Sequence, residues 1–302
     1  MKKHYKNIRF SSSRLSWLHE VMAVIEEFQG MGYTLTLRQI HYQLVGMGLT
    51  ENTKQAYKRL GSLINDARLA GYIDWDAIED RTRFVRKLGH WKEPADIVRS
   101  ASEQFHIDRW ENQEHRVEVW IEKDALVGIL EEVCNRYDVP YFSCRGFVSQ
   151  SELRDAAERV KRYEDKGYEY VILHLGDHDP SGLDMTRDII DRMEMFGAYP
   201  TVDRLALNYE QILMYNPPPN FAKEKDSRYK GYAAEFGTDS WELDSLHPTV
   251  IIGLIEHQIE TYINDWNVWE DDIEREEDYR QQLADAAKNW NAVAYFLKGN
   301  KQ

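Results

Sequence analysis

The feature that most constrains this chain is a regular alternation of strand and helix patterns between residues 117 and 207. Alternating apolar and polar residues over 117–121 predict a strand, and helical spacing over 125–137 predicts a helix. The alternation continues with strands over 139–144, 170–175 and 202–207 and with helices that begin near Ser149 and Ser181. Strands that alternate with helices favour a parallel sheet, whose functional residues lie beyond the carboxyl ends of its strands. The sequence therefore predicts an α/β fold.

Three shorter helical patterns precede this region. The first covers 14–29, the second begins with a capping box at Thr36, and the third runs from about 53 to 70, where Gly71 stops it. Residues 72–75, which read YIDW, follow, and then a basic segment with Arg81, Arg83, Arg86 and Lys87; together they are typical of the β-wing of a winged helix-turn-helix. The order of these elements predicts an N-terminal winged helix-turn-helix.

Charge is distributed unevenly along the chain. The formal net charge is -14, but residues 1–110 carry +4 and residues 111–302 carry −18. A basic first part suits contact with phosphates, whereas an acidic second part suits metal binding or solubility. We therefore expect a DNA-binding domain over 1–110 and an α/β domain with a helical C-terminal extension over 111–302.

One face of the third helix carries polar side chains. At 100° per residue, Lys54, Lys58 and Asn65 project together, opposite the apolar stripe. A recognition helix presents such a face to DNA, although a helix that only faces water presents one too. Because Arg81 and Arg83 of the predicted wing follow, we expect these five residues to contact double-stranded DNA.

Three acidic residues follow directly on two of the predicted strands. Glu122 follows the first strand, and Asp177 and Asp179 follow the third. In an extended segment residues i and i+2 point the same way, so the two aspartates can face one side. Clustered carboxylates repel one another unless a divalent cation neutralises them, and oxygen ligands suit Mg²⁺ or Mn²⁺. The acids predict a metal site, although each of them alone could be a helix cap or a turn residue.

Two motifs give the chain a family resemblance. Residues 119–125 read VWIEKDA and residues 177–182 read DHDPSG. Together they resemble the Toprim domain, most closely that of the topoisomerase VI A subunit and its meiotic double-strand-break relatives. The resemblance implies a Rossmann-like, mainly parallel sheet in which Glu122, Asp177 and Asp179 hold magnesium.

The resembled family also has a winged helix before the Toprim domain, with a nucleophilic tyrosine in an Arg-x-Ile-x-Tyr motif. Residues 38–42 read RQIHY here, which maps the tyrosine onto Tyr42. Arg38 and Tyr42 are i and i+4 on a flank of the second helix that is turned away from its apolar stripe, so neither is an obvious core residue. A guanidinium beside a phenol favours the phenolate and can bind a phosphate. We expect Tyr42, Arg38 and Glu122 to be catalytic, with a purely structural tyrosine as the alternative.

Other candidates carry weaker signals. Lys123 could contact a DNA phosphate or form an exposed ion pair. His174 and His178 flank the acidic motif but make a poor zinc site without further ligands, so we expect packing and support roles. Glu242 and Asp244 precede a helix and are expected to serve helix entry, with a role as additional metal ligands or as groups that support the metal ligands as the alternative.

These residues predict magnesium-dependent DNA cleavage in which Tyr42 is the nucleophile, as in a type IIB topoisomerase A subunit. The first alternative is a Toprim nuclease that uses water, with Tyr42 structural. The second alternative is a non-catalytic DNA-binding protein. The resemblance implies a homodimer in which the tyrosine of one protomer acts at the metal of the other.

Further expectations concern partners and location. The sequence has no phosphate-binding Gly-Lys-Ser/Thr loop, so ATP-driven strand passage would need a separate ATPase subunit of the B type. No apolar run approaches the roughly 18 residues of a membrane span, and no apolar signal core opens the chain. Only two cysteines are present, Cys134 and Cys144. We therefore expect a cytoplasmic protein that does not bind membranes.

Overall fold

A computed structural model describes residues 2–78 and 88–299 of the chain. The helices are α1 (Ser12–Gly30), α2 (Leu37–Gly46), α3 (Lys54–Leu69), α4 (Pro94–Gln104), α5 (Val127–Arg136), α6 (Gln150–Glu164), α7 (Pro180–Met195), α8 (Tyr209–Tyr215), α9 (Tyr229–Phe236), α10 (Pro248–Glu260), α11 (Trp266–Lys288) and α12 (Trp290–Gly299). The strands are β1 (His115–Ile121), β2 (Tyr141–Ser143), β3 (Glu169–Leu175), β4 (Thr201–Ala206), β5 (Asn220–Phe221) and β6 (Asp239–Ser240). The helices and strands predicted within 14–70 and 117–207 are confirmed to within a few residues.

The described residues divide into two compact units. The first contains residues 2–78 and 116–260, and the second contains residues 88–115 and 261–299. In the second unit α4 packs along α11, and Trp110 meets Trp269 edge to face. The predicted division into domains 1–110 and 111–302 stays a prediction.

A parallel sheet of four strands organises the first unit, among the residues that are described. The strand order is β2-β1-β3-β4, so β1 and β3 are neighbours in the centre. Side chains of β1 and β3 are buried almost throughout, as expected where helices cover a parallel sheet. One core combines Trp120 and Ile172 of the sheet with Leu153 of α6 and Ile189 of α7. The predicted α/β class with a parallel sheet is therefore confirmed.

Helices α1, α2 and α3 share a separate apolar core. The side chains that fill it include Leu18, Phe28, Ile40, Leu44, Leu60 and Leu63. Helix α2 begins with the predicted capping box, in which the Thr36 side chain and Gln39 bond reciprocally. Thr53 is the N-cap of helix α3, and its hydroxyl accepts the Ala56 N–H. The basic part of the predicted wing, with Arg81, Arg83, Arg86 and Lys87, lies outside the described residues, whereas its first part, residues 72–75, is described and leads into a short 3₁₀ turn at Trp75–Ala77 rather than forming a strand.

Helix α2 is buried on two sides rather than on one. Its six residues from Gln39 to Leu44 are all buried. One side meets the core shared with α1 and α3, and the other contacts a short 3₁₀ turn at Leu243–Ser245. This second contact brings α2 to the carboxyl edge of the sheet.

Within the described ranges, none of the helices combines the length and the apolar character that crossing a membrane requires.

Candidate active site

The loops after β1 and β3 bring the predicted metal ligands to one edge of the sheet. The Glu122 N–H donates to the Leu175 carbonyl at 2.8 Å. Glu122 Oε2 accepts the Asp177 N–H, also at 2.8 Å. Because β1 and β3 are adjacent, the glutamate lies directly beside the loop that carries Asp177 and Asp179.

Asp179 caps helix α7 with one of its oxygens. Oδ1 accepts the Gly182 N–H at 2.7 Å and the Ser181 hydroxyl at 2.9 Å. Oδ2 lies 3.6 Å from the Lys223 ammonium, whose side chain is largely exposed. The helix-cap alternative therefore holds for one oxygen of Asp179, while the other oxygen faces an exposed cation.

Asp177 is buried, and one of its oxygens accepts a backbone hydrogen bond and forms an ion pair. Its Oδ1 accepts the Leu243 N–H at 2.8 Å and lies 2.8 Å from Lys123 Nζ. Burial raises the pKa of Asp177; the Lys123 ammonium opposes this shift and Glu122 adds to it. Burial also raises the pKa of Glu122. A cationic partner is therefore needed to keep both carboxylates ionised at this edge.

Glu242 and Asp244 reach the same edge from a distant part of the chain. Backbone hydrogen bonds in both directions join His178 to Trp241, at 2.8 and 3.0 Å, and so fasten this segment to the loop after β3. His178 is buried and its Nδ1 lies 3.0 Å from the Tyr232 hydroxyl. The helix-entry expectation for Glu242 and Asp244 is wrong, and the alternative of a supporting role fits, because both carboxylates bind cations of the site.

Lys123 is one of these cations. Its ammonium lies 3.0 Å from Asp244 Oδ1 and also contacts Glu242, in addition to Asp177. Only 13% of its side chain is exposed, so the expected exposed ion pair is wrong. Burial disfavours the charged ammonium, but the three carboxylates raise the pKa of Lys123 overall. A contact with DNA would require Lys123 to leave these partners.

Arg38 is the second cation, and it binds the same pair of carboxylates. Its Nε donates to Asp244 Oδ2 at 2.7 Å, and Nη2 donates to Glu242. Against the cost of burial, Lys123 and Arg38 together lower the pKa of Glu242. Asp244 thus gives one oxygen to Lys123 and the other to Arg38, with its side chain fully buried.

Tyr42 lies one turn after Arg38, which stacks 5.6 Å from the centre of its ring. The expectation that Tyr42 lies away from the core is wrong, because only 6% of the residue is exposed. Burial, Asp244 and Glu242 raise the pKa of Tyr42 to about 12, although Arg38 opposes the shift. The expected phenolate is therefore disfavoured, because burial and the two carboxylates together outweigh the guanidinium.

Arg204 supports the acidic loop from β4, a role that the sequence analysis missed. Its Nη2 donates to the Asp177 carbonyl at 2.7 Å, and its Nη1 donates to the Gly182 carbonyl at 2.9 Å. Burial lowers the pKa of Arg204 to about 10. The sequence signal that could have indicated this role is an arginine in the otherwise apolar segment 204–207.

A cavity of about 530 Å³ joins these parts of the site. Its wall includes Tyr42 and Arg38 of α2, Asp177 and Asp179 of the loop after β3, and Lys54 at the start of α3. All of these residues belong to the first compact unit. The candidate nucleophile and two of the candidate metal ligands therefore share one cavity of a single chain.

The chain matches no model of a known protein family, no curated protein and no solved structure. Assignment of a function therefore depends on the geometry of the site itself.

The donor atoms fit a hard divalent cation by their chemistry. Glu122, Asp177 and Asp179 offer only oxygen ligands, which Mg²⁺ and Mn²⁺ prefer. Across residues 2–78 and 88–299, however, no three Asp, Glu, His or Cys side chains surround a common point. Lys123 occupies Asp177 and the helix cap occupies Asp179, so metal binding would require these side chains to exchange partners.

The predicted DNA-contacting residues of α3 lie on its open side. Lys54, Lys58 and Asn65 are exposed, whereas the apolar stripe of the helix is buried. The predicted common face is therefore confirmed, and contact with DNA stays a prediction. Arg81 and Arg83 lie outside the described residues.

Gly182 is required where α7 begins against the acidic loop. A Cβ added there would lie 2.1 Å from the Asp177 carbonyl oxygen. We expect Gly182→Ala to displace the loop and to lower the free energy of unfolding by about 1–3 kcal/mol. Thermal unfolding measures this change, with Gly231→Ala of α9 as the control because nothing lies within 4 Å of its added Cβ. Equal unfolding temperatures for both variants would contradict the packing around Gly182.

Lys123 neutralises three carboxylates, so its removal should destabilise the protein. We expect Lys123→Met to lower the free energy of unfolding by about 3–5 kcal/mol, because buried carboxylates lose their cation. Arg187→Met is the matched control, since that side chain is 59% exposed and its ion pairs, screened by water, should contribute little to stability. Chemical denaturation of both variants checks the difference, and a small effect for Lys123→Met would contradict its assigned role.

Proposed function

We propose that the chain cleaves DNA by metal-assisted transesterification, in the manner of a topoisomerase VI A subunit. The single observation that carries the proposal is the cavity that Tyr42 and Arg38 share with Asp177 and Asp179. A tyrosine in reach of clustered acids is the combination that attack on a phosphodiester needs.

The fold supports the proposal at a coarser level. A parallel sheet that presents acids at the carboxyl edge of adjacent strands is compatible with a Toprim domain. Helices α1, α2 and α3 are compatible with a helix-turn-helix, whose exposed lysines would contact DNA phosphates. We propose both assignments together, with α3 as the recognition helix.

In the proposed reaction Tyr42 Oη attacks a phosphorus atom of the DNA backbone. A bond forms between the phenolic oxygen and phosphorus, and the bond to one deoxyribose oxygen breaks. The phenolic proton passes to a carboxylate of the cavity, and the released deoxyribose oxygen takes up a proton. Glu122, Asp177 and Asp179 would hold magnesium, which would neutralise the charge that develops on the phosphate.

Arg38 would bind the phosphate that Tyr42 attacks. A guanidinium forms strong paired hydrogen bonds with phosphate oxygens, so a DNA phosphate can compete with Glu242 and Asp244 for it. Withdrawal of Arg38 from these carboxylates would also leave their ion pairs with Lys123 in place. Binding of DNA and rearrangement of the ion pairs are therefore expected to be coupled.

A second candidate is a nuclease in which water attacks the phosphate and Tyr42 only packs. The observation that favours it is the raised pKa of Tyr42, which burial and the neighbouring carboxylates cause. A neutral, buried phenol is a weaker nucleophile than a phenolate. The two candidates share the acids and differ only in the nucleophile.

The proposal is tested by incubation of the purified chain with supercoiled plasmid and Mg²⁺ or Mn²⁺. We expect nicked or linear DNA that carries covalently bound protein, and no cleavage after addition of a chelator. Free DNA ends without bound protein would support the nuclease. Plasmid that is bound but never cut, under either metal, would overturn both candidates in favour of a non-catalytic DNA-binding protein.

A further inference from the structure

The helix of the candidate nucleophile and the acidic loop are joined by a continuous series of ion pairs. Arg38 lies one turn before Tyr42 and binds Asp244 Oδ2 at 2.7 Å. Lys123, next to Glu122, lies 3.0 Å from Asp244 Oδ1. The same ammonium lies 2.8 Å from Asp177 Oδ1. Asp244 is therefore the link between the two halves of the site.

Asp244 is suited to this role by burial and by its local backbone. Its side chain is fully buried, and each of its two oxygens binds a different cation. The adjacent Leu243 N–H donates to Asp177 at 2.8 Å, which fixes the position of the turn relative to the acidic loop. A buried carboxylate between two cations holds both of them in place until a competing anion, such as a DNA phosphate, takes its place at Arg38, since an unpaired charge there is costly.

We infer that Asp244 is a positioning residue that joins Arg38 to Lys123, so that the reactive site is completed within one chain. The inference rests on the proposed function and concerns the arrangement of the same site. It departs from what the family resemblance implies, because there the tyrosine of one protomer acts at the metal of its partner. A second copy of the chain is then not required to bring Tyr42 to Asp177 and Asp179.

A test of the single-chain site uses wild-type chains co-expressed with an excess of the double variant Tyr42→Phe/Asp177→Asn. Cleavage of plasmid is measured per wild-type chain. If the site lies within one chain, each wild-type chain keeps its own tyrosine and acids, and this activity stays unchanged in monomers and in dimers alike. If sites form between chains, a tenfold excess of the variant should lower it by about tenfold, which would overturn the inference.

The positioning role of Asp244 predicts a separation of kinetic parameters. We expect Asp244→Asn to lower kcat at least about tenfold with a smaller rise in KM for DNA, because Lys54 and Lys58 of α3 are unaffected. Asp155→Asn on α6, whose side chain is 74% exposed, is the control and should change neither parameter. Unchanged kcat for Asp244→Asn would overturn the positioning role.

If wild-type chains fail to cleave DNA, that result contradicts the proposed function but not the link through Asp244. A stability measurement then tests the link by itself. Unfolding is measured for Arg38→Met, Asp244→Asn and the double variant. We expect the unfolding equilibrium constant of the double variant to differ by about tenfold from the value that the two single variants predict when their effects are added. This difference should be the same at two protein concentrations about a hundredfold apart. Additive effects, or non-additivity that disappears on dilution, would contradict a link within one chain.

Discussion

Tyr42→Phe is expected to abolish the covalent protein–DNA adduct and to lower cleavage by about three orders of magnitude or more. The substitution removes the attacking oxygen and leaves the buried ring, so the packing of α2 is retained. The adduct is detected on denaturing gels after incubation with labelled DNA and Mn²⁺. Thermal unfolding of the variant should match that of the wild-type chain closely enough to exclude misfolding.

Tyr57→Phe is the matched control, because Tyr57 lines the same cavity. We expect this variant to keep both cleavage and adduct. Retention of full cleavage by Tyr42→Phe, with free DNA ends, would assign the attack to water and leave Tyr42 as a packing residue.

Asp177→Asn is expected to abolish metal-dependent cleavage without destabilising the fold. The loss of a ligand should lower the rate by about three orders of magnitude, since a bound metal contributes several kcal/mol to phosphoryl transfer. Burial raises the pKa of Asp177, so a neutral amide should be tolerated in the metal-free protein. The predicted result is an inactive variant that unfolds at or above the temperature of the wild-type chain.

The same variant should lose stabilisation by Mg²⁺. A cation that binds only the folded chain raises its unfolding temperature, and removal of a ligand weakens this effect. Asp155→Asn, an exposed residue of α6, should keep both activity and the response to Mg²⁺. Cleavage by Asp177→Asn at the wild-type rate would exclude this carboxylate from the chemistry.

The sheet could be predicted from the local pattern of apolar residues in each strand. Its acidic edge could be predicted because the carboxyl ends of parallel strands lie at the same edge of a sheet. The near-continuous burial of β3 appears in the sequence as the apolar run before Gly176. The carboxyl ends of parallel strands share an edge, so residues after β1 and β3 were expected to meet, and Glu122 does contact the Asp177 N–H. The capping box at Thr36 could likewise be predicted, because it depends on only four consecutive residues.

Contacts between distant segments could not be predicted in this way. Arg38 and Asp244 are separated by 206 positions in the sequence, and no periodic pattern relates them. The helical wheel of α2 identified one apolar stripe, but it could not reveal that the opposite flank meets the turn at Leu243–Ser245. The burial and the raised pKa of Tyr42 follow from this contact, which the sequence did not predict. The packing of α4 on α11 was missed for the same reason.

The most direct test of the central claim is a crystal structure of the chain soaked with Mn²⁺, measured with anomalous scattering. The acidic edge of the sheet is expected to show one anomalous peak coordinated by Glu122, Asp177 and Asp179, with Lys123 withdrawn from Asp177. Retention of the Lys123–Asp177 pair, with no peak at these three carboxylates, would contradict the claim that they form a metal site for DNA cleavage.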